Sequence, residues 1–203
     1  MDTKSKYSVS ELNRTERTQE ITLKVPAFTI DKPDFTAAEK GTIMHSVMEH
    51  IDFGKVWEKT AEGPESVNEY ITGFVREMTA GEMLTAEEAA TVVPSKISSF
   101  FATDVGKRAA KAEICHKERP FTAEHVISPQ SSPVLVQGVI DCYFEEDGEL
   151  VLIDYKTNTN VEGIRETYRE QIDLYKEALQ MLEGKTVKEA YLYLFAKGRF
   201  IAM

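Results

Sequence analysis

The stretch Gln137–Asn158, QGVIDCYFEEDGELVLIDYKTN, constrains the fold more than any other part of the chain. Two apolar runs, Val134–Phe144 and Glu149–Tyr155, flank Asp147-Gly148, a dipeptide preferred in two-residue type I′ turns because both central positions need positive φ. A β-hairpin follows, and the turn fixes its register. Glu146 pairs with Glu149, and counting outward brings Asp141 opposite Asp154. Side chains so opposed lie about 4.5–5.5 Å apart at Cβ. Two carboxylates at that spacing repel unless a cation or a shared proton compensates. Lys156 projects to the same face as Asp154, two positions along the strand. A face bearing Asp, Asp and Lys suits a hard, oxygen-liganded ion such as Mg²⁺. The alternative is a solvated hairpin with ordinary surface charges. The apolarity of the strand that ends in Ile153-Asp154-Tyr155-Lys156 counts against it, since a chance carboxylate is uncommon there.

At 203 residues with 42% hydrophobic content, the chain suffices for one globular domain, or one domain with an appendage. No apolar stretch reaches the length of a membrane span, and no signal segment opens the chain, so a soluble cytoplasmic setting is expected. Cys115 and Cys142 form no CxxC pair and are too few for an iron–sulfur cluster or a Cys₄ zinc site; both read as buried free thiols. A net charge of −10 argues against broad nonspecific nucleic-acid binding, which draws on clustered Lys and Arg.

Along the chain, 1–35 reads as an irregular arm, with a short helical start at Ser10–Arg14 and an extended piece at Glu20–Phe28. Thr36-Ala37-Ala38-Glu39 is a capping box opening a helix to about Phe53. Gly41, His45 and Glu49 line one side of that helix. A glycine mid-helix costs roughly 1 kcal/mol relative to Ala, which implies that something approaches the backbone beside His45. Glu49 is placed to orient the imidazole, as carboxylates do for metal-bound histidine. Residues 56–112 read as all-helical, an insertion or flank of a catalytic core at 113–203. Helices are expected at Glu65–Met78, from the Thr85-Ala86-Glu87-Glu88 box, and over Ser95–Thr103 after Pro94, with Ile97, Phe100 and Phe101 in the core.

Ile114–Ile127 reads as an extended segment, which Pro120 confines to a sheet edge or a bulge, with Glu118 able to point toward the hairpin. Ser128–Pro133 and Thr157–Gly163 read as loops. A helix from Ile164 to Leu182 has Ile164, Tyr168, Ile172, Tyr175, Leu179 and Leu182 on its inner stripe, with Gln171 beside it, and Gly184 closes it. Val187–Ala196 is a final strand, and the strand–helix–strand order implies parallel pairing.

Taken together, Gly-Thr-x-x-His at 41–45, Gly-x-x-Asp at 138–141, Asp-Tyr-Lys at 154–156 and Gln-x-x-x-Tyr at 171–175 resemble the RecB-type branch of the PD-(D/E)XK nucleases. The closer likeness is to the C-terminal nuclease domains of the larger, A-type chains of AddAB-type bacterial helicase/nucleases. It extends over Thr36–Phe53, Val136–Asn158 and Val187–Phe195, and Ser8–Arg14 looks like the segment joining motor to nuclease. The resemblance implies an α/β restriction-endonuclease-like core with a central mixed β-sheet flanked by helices, at 36–203. It implies that His45, Asp141, Asp154 and the Tyr155 carbonyl hold Mg²⁺, for which Mn²⁺ can substitute. Lys156 would orient the attacking water or steady charge on the phosphate, and Gln171, Tyr175, Glu49 and Glu118 would support the site or touch substrate. Arg119 stands where the family more often has an apolar residue.

The implied reaction is phosphodiester hydrolysis of single-stranded DNA delivered by a helicase, in double-strand-break end processing, with a B-type partner subunit. No Gly-x-x-x-x-Gly-Lys-Ser/Thr loop occurs, so the helicase motor is expected to lie outside this chain, and weak nuclease activity is expected of it alone. Two other readings stay open: a weakly catalytic docking or DNA-end-binding module, and a different metal-dependent phosphodiesterase.

Overall fold

Local capping chemistry sets the helical half of the molecule. Helix α1 (Ala37–His50) opens on the expected box: the Thr36 hydroxyl accepts from the Glu39 amide, and the Glu39 carboxylate accepts from the Thr36 amide at 2.8 Å. It ends at His50, not near Phe53, because Asp52 caps a new helix, α2 (Phe53–Thr60), by accepting from the Lys55 amide. Helices α3 (Pro64–Ala80), α4 (Ala86–Thr91) and α5 (Pro94–Ala102) follow, α4 on the Thr85–Glu88 box and α3 and α5 each with a proline in the first turn. Thr103 ends α5 and caps α6 (Asp104–Lys111). The joint is tight: a Cβ at Gly106 would lie 1.9 Å from the Phe100 carbonyl oxygen, so only glycine fits. The computed structural model describes residues 6–8, 35–125, 133–157 and 160–203. The expected Ser10–Arg14 and Glu20–Phe28 elements lie outside these residues, as does most of the Ser128–Pro133 loop.

The strands are β1 (Lys6–Ser8), β2 (Cys115–His125), β3 (Val134–Glu146), β4 (Glu149–Lys156), β5 (Val187–Leu194) and β6 (Arg199–Ala202), with helix α7 (Ile164–Glu183) between β4 and β5. They form one six-stranded mixed sheet in the order β1-β3-β4-β5-β6, with β2 along the other edge of β3. Asp147 and Gly148 both have positive φ, +56° and +80°, as a type I′ turn requires. The β3–β4 register is the one expected, from Glu146 opposite Glu149 to Cys142 opposite Ile153. The Lys6–Ser8 pairing, parallel to β3, gives the irregular arm a point of attachment that its sequence did not signal. Strand β2 runs antiparallel to β3 as an edge strand, which accommodates Pro120. The β4–α7–β5 crossover is parallel, as expected, and β6 adds an antiparallel edge after a turn at Gly198, whose φ is +60°.

Burial divides around the sheet. Cys142, Phe144, Val151, Ile153 and Tyr155 pack against α1, α2 and α5 through Val47, Met48, Ile51, Phe53, Phe100 and Phe101. On the other face Ile140, Leu152, Leu192 and Leu194 meet Ile164, Ile172, Tyr175 and Leu179 of α7. Because both faces of β4 are covered, its sequence is a near-continuous apolar run and not an alternation. Residues 56–112 therefore share one core with α1 and the sheet. Leu182, expected on the inner stripe, is exposed. Cys142 is buried, whereas Cys115 is only half-buried; their sulfurs lie 3.8 Å apart. No described helix is long and apolar enough to cross a membrane.

Arg108 of α6 clamps the helical layer to the hairpin end. It donates to both carboxylate oxygens of Glu146, at 2.9 and 2.6 Å, and to Glu189 of β5 at 2.8 Å. Hydrogen bonds from Arg108, then from Lys188, hold Glu146 down at about 2. A carboxyl depressed on folding stabilises the fold above its ordinary value, and that contribution is lost as pH falls through the folded value. Arg108→Met should therefore lower the melting temperature at pH 7, and the deficit relative to the parent should shrink as pH falls from about 4.5 toward 2. Thermal melts of both proteins across that range check it.

Candidate metal centre

Five elements converge where β3 and β4 separate. Asp141 comes from β3, and its Oδ2 accepts the Tyr155 backbone N–H of β4 at 2.6 Å, in the position where the two strands would otherwise continue their pairing. The other oxygen, Oδ1, lies 3.4 Å from Nδ1 of His45 on α1. Glu118 of β2 completes the group, with its Oε1 3.5 Å from the same nitrogen. One ligand atom each from His45, Glu118 and Asp141 lie within 4.8 Å of one another. The Tyr155 ring stands edge-on to the imidazole at 5.7 Å and walls the cluster from the core.

Glu118 reaches the cluster by an unusual backbone. Its φ is +48°, a left-handed conformation that costs a non-glycine residue about 1–3 kcal/mol and persists only where surroundings enforce it. Its Oε1 is enclosed and accepts no directed hydrogen bond within the described residues. From sequence Glu118 was expected in a supporting place, and the structure sets it beside His45 and Asp141. The signal was there in principle, because the β2–β3 register runs through Lys117–Cys142 and Arg119–Ile140 and so aligns Glu118 with Asp141. No turn dipeptide joins β2 to β3, so nothing local in the sequence fixes that register.

The surroundings of His45 favour its charged form. Burial opposes its protonation, but contact with Asp141 and then Glu118, and the charges of both, outweigh it and push the imidazole up to about 10. Glu49, expected to orient this ring, is directed elsewhere: its Oε2 lies 3.6 Å from Nδ1 of His50. The approach inferred at Gly41 is real, and the group is Thr157, whose Oγ1 would lie 3.3 Å from a Cβ at position 41.

Asp154 and Lys156 of β4 form a second, deeper group. Asp154 is 1% exposed, and its Oδ2 lies 2.7 Å from the Lys156 ammonium. Gln171 of α7 donates to Asp154 Oδ1 at 3.2 Å and to the Tyr175 hydroxyl at 2.9 Å, and its carbonyl accepts from Lys156 at 3.4 Å. The Tyr168 ring lies 4.4 Å beneath the ammonium. Burial pushes the Asp154 carboxyl up, with Asp141 adding and Lys156 opposing. Burial disfavours the charge on Lys156, yet Asp154 more than offsets it and holds the ammonium above its ordinary value. The structure thus brings together His45, Asp141, Asp154, Lys156, Gln171, Tyr175 and Glu118 and leaves out Glu49. Asp154 is not among the three donors grouped within 4.8 Å; its oxygens face Lys156 and Gln171.

The PD-(D/E)XK nuclease superfamily model matches residues 12–200. The chain is 39% identical over 224 residues to the A subunit of the ATP-dependent helicase/nuclease of Ruminiclostridium cellulolyticum, an alignment covering 98% of this chain and 17% of that protein. Against the corresponding protein of Acetivibrio thermocellus it is 40% identical, over 89% of this chain and 14% of the relative. Against that of Alkaliphilus oremlandii it is 39% identical, over 94% and 17%. The chain thus spans 14–17% of the length of these curated relatives. With a match over most of its length and a mixed sheet that assembles the Asp-Tyr-Lys strand beside the His45 helix, the chain belongs to the PD-(D/E)XK nuclease superfamily.

Proposed function

We propose that this chain is a metal-dependent deoxyribonuclease domain that hydrolyses phosphodiester bonds of single-stranded DNA, with Mg²⁺ as its ion and Mn²⁺ able to replace it. The observation that carries the reading is the trio of His45, Glu118 and Asp141, set within 4.8 Å of one another at the mouth of a buried Asp154–Lys156 pair. The donors fit a hard divalent ion: carboxylate oxygens dominate, with one imidazole, and an enclosed Glu118 oxygen is without a directed hydrogen bond. His45, Asp141 and Glu118 would hold the ion, with Asp154 and the Tyr155 carbonyl as further ligands. When bound, such an ion lowers the pKa of coordinated water and polarises phosphoryl oxygen.

The chain's own groups do the rest. Lys156 brings a fixed positive charge to the site, and a fixed ammonium stabilises charge developing on a phosphate. Gln171 uses both its amide protons and its carbonyl inside the site, so it holds Asp154, Tyr175 and Lys156 in place and does not reach for DNA. His45 lies between Asp141 and Glu118, whose contacts favour its protonated form, and it would have to be neutral to serve as a ligand. The relatives are named as helicase/nuclease proteins of A-subunit type, which supports delivery of the strand by a helicase motor and assembly with a B-type partner, in double-strand-break end processing in the bacterial cytoplasm. A net charge of −10 fits that division of labour, because the chain alone would hold DNA weakly.

Cleavage of a labelled single-stranded oligonucleotide with Mg²⁺ or Mn²⁺ tests the reading. Asp154→Ala and Lys156→Ala should each lower the rate at saturating metal by about 100-fold or more, and full activity in both variants would remove the assignment. Glu118→Gly separates strain from ligation. Glycine accepts φ of +48° freely, so the melting temperature should hold or rise while Mn²⁺ affinity, read by calorimetry, falls about tenfold or more.

A further inference from the structure

Two successive side chains of β2 serve the same helix, which a regular strand does not permit, since neighbouring residues point to opposite faces. Glu118 meets His45 of α1. Lys117, the residue before it, sends its ammonium to the end of that helix, where Nζ donates to the carbonyl of Ile51 at 2.6 Å. Ile51 is the C-cap of α1, and its own amide closes the last turn on Val47. The carbonyls at a helix C-terminus lack intrahelical partners and carry its negative end, so a cation there is doubly favourable. The ammonium also lies 5.0 Å over the Phe53 ring, the first residue of α2, and so sits at the joint between the two helices. Across the ladder it faces Cys142, the neighbour of Asp141.

We infer that Lys117 is a positioning residue for the metal centre: by binding the Ile51 carbonyl it fixes α1 against β2 and holds Glu118 in the left-handed turn that carries its carboxylate to His45. The inference rests on the metal reading above and names a group that touches neither ion nor substrate. Buried Val47, Met48 and Ile51 seat α1 on the sheet, and the Lys117 bond, six residues along from His45, adds a directed tie to β2 beside Glu118. Glu118 itself reaches His45 from a strained backbone through a 3.5 Å contact, so it gains most from that tie.

The test uses Mn²⁺ alone as probe, with its dissociation constant measured by calorimetry on the whole chain. Lys117→Met keeps the length and apolar stem but removes the donor and charge, and it should weaken Mn²⁺ binding about tenfold or more. Lys117→Arg, which can still donate to the carbonyl, should bind within about threefold of the parent. Arg108→Met serves as a control that loosens the far end of the fold; its Mn²⁺ affinity should match the parent's. In oligonucleotide cleavage, the Lys117→Met loss should be largely restored by raising Mn²⁺, as a positioning role demands. Lys117→Leu, which likewise lacks a donor, is measured alongside and is expected to shift in the same direction, so the question is decided even if the methionine variant fails to fold. Parent-like Mn²⁺ affinity in the methionine and leucine variants, or an equal loss in Arg108→Met, overturns the inference alone. A parent chain that binds no Mn²⁺ overturns the metal reading and the inference with it.

Discussion

The bond from the Tyr155 amide to the Asp141 carboxylate, 2.6 Å long and buried, governs the arrangement around it. A hydrogen bond to an ionised acceptor is about twice as strong as a neutral one, and here it takes up a backbone donor just where the β3–β4 ladder ends. From that point β3 is free to leave β4, and the edge it vacates is used by β1, which pairs with Leu135–Gln137. Its opposite edge stays bound to β2 throughout. The result is a sheet that forks, with Asp141 in the crotch, and a fork leaves room for side chains from both layers. His45 enters from the helical side, and the Gln171 amide from the α7 side.

Charge is distributed unequally across that crotch. The outer group holds two carboxylates and an imidazole that is partly open to solvent, 29% exposed at its side chain, whereas Asp154 is sealed. An isolated buried carboxylate would neutralise itself by taking a proton, and Lys156 with Gln171 is what opposes this. The inner pair thus supplies a cation of fixed position and the outer trio a seat for an exchangeable one. Removing either member of the inner pair leaves the other uncompensated in the core, and so its loss weighs on folding as well as on chemistry.

Much of this was legible in the residues because it is written in local chemistry. The Asp147-Gly148 turn set a register that the structure repeats from Glu146–Glu149 to Cys142–Ile153, where the ladder ends one pair short of Asp141–Asp154, and the Thr36 and Thr85 boxes marked two helix starts to the residue. Gly41 announced a close neighbour before the neighbour was known. What stayed hidden depends on contacts distant in sequence. Asp52 ends one helix by capping the next, and the apolar Ile51 and Phe53 on either side of it mask the break. Glu118 owes its place to a strand register with no turn signal and to a φ of +48° that no pattern of apolar residues records. Glu49 showed the opposite failure: helical spacing put it on the side of His45, but two carboxylates from other strands reached the imidazole first. Leu182 kept the helical period and is nonetheless exposed.

Gly41 sets how closely the two halves of the site can sit. A Cβ at position 41 would lie 3.3 Å from Oγ1 of Thr157, which directly follows Lys156, so a side chain there would press on the end of the strand that carries the ammonium. The missing side chain is thus a spacer left out: it lets the helix bearing the imidazole and the strand bearing the ammonium share one site.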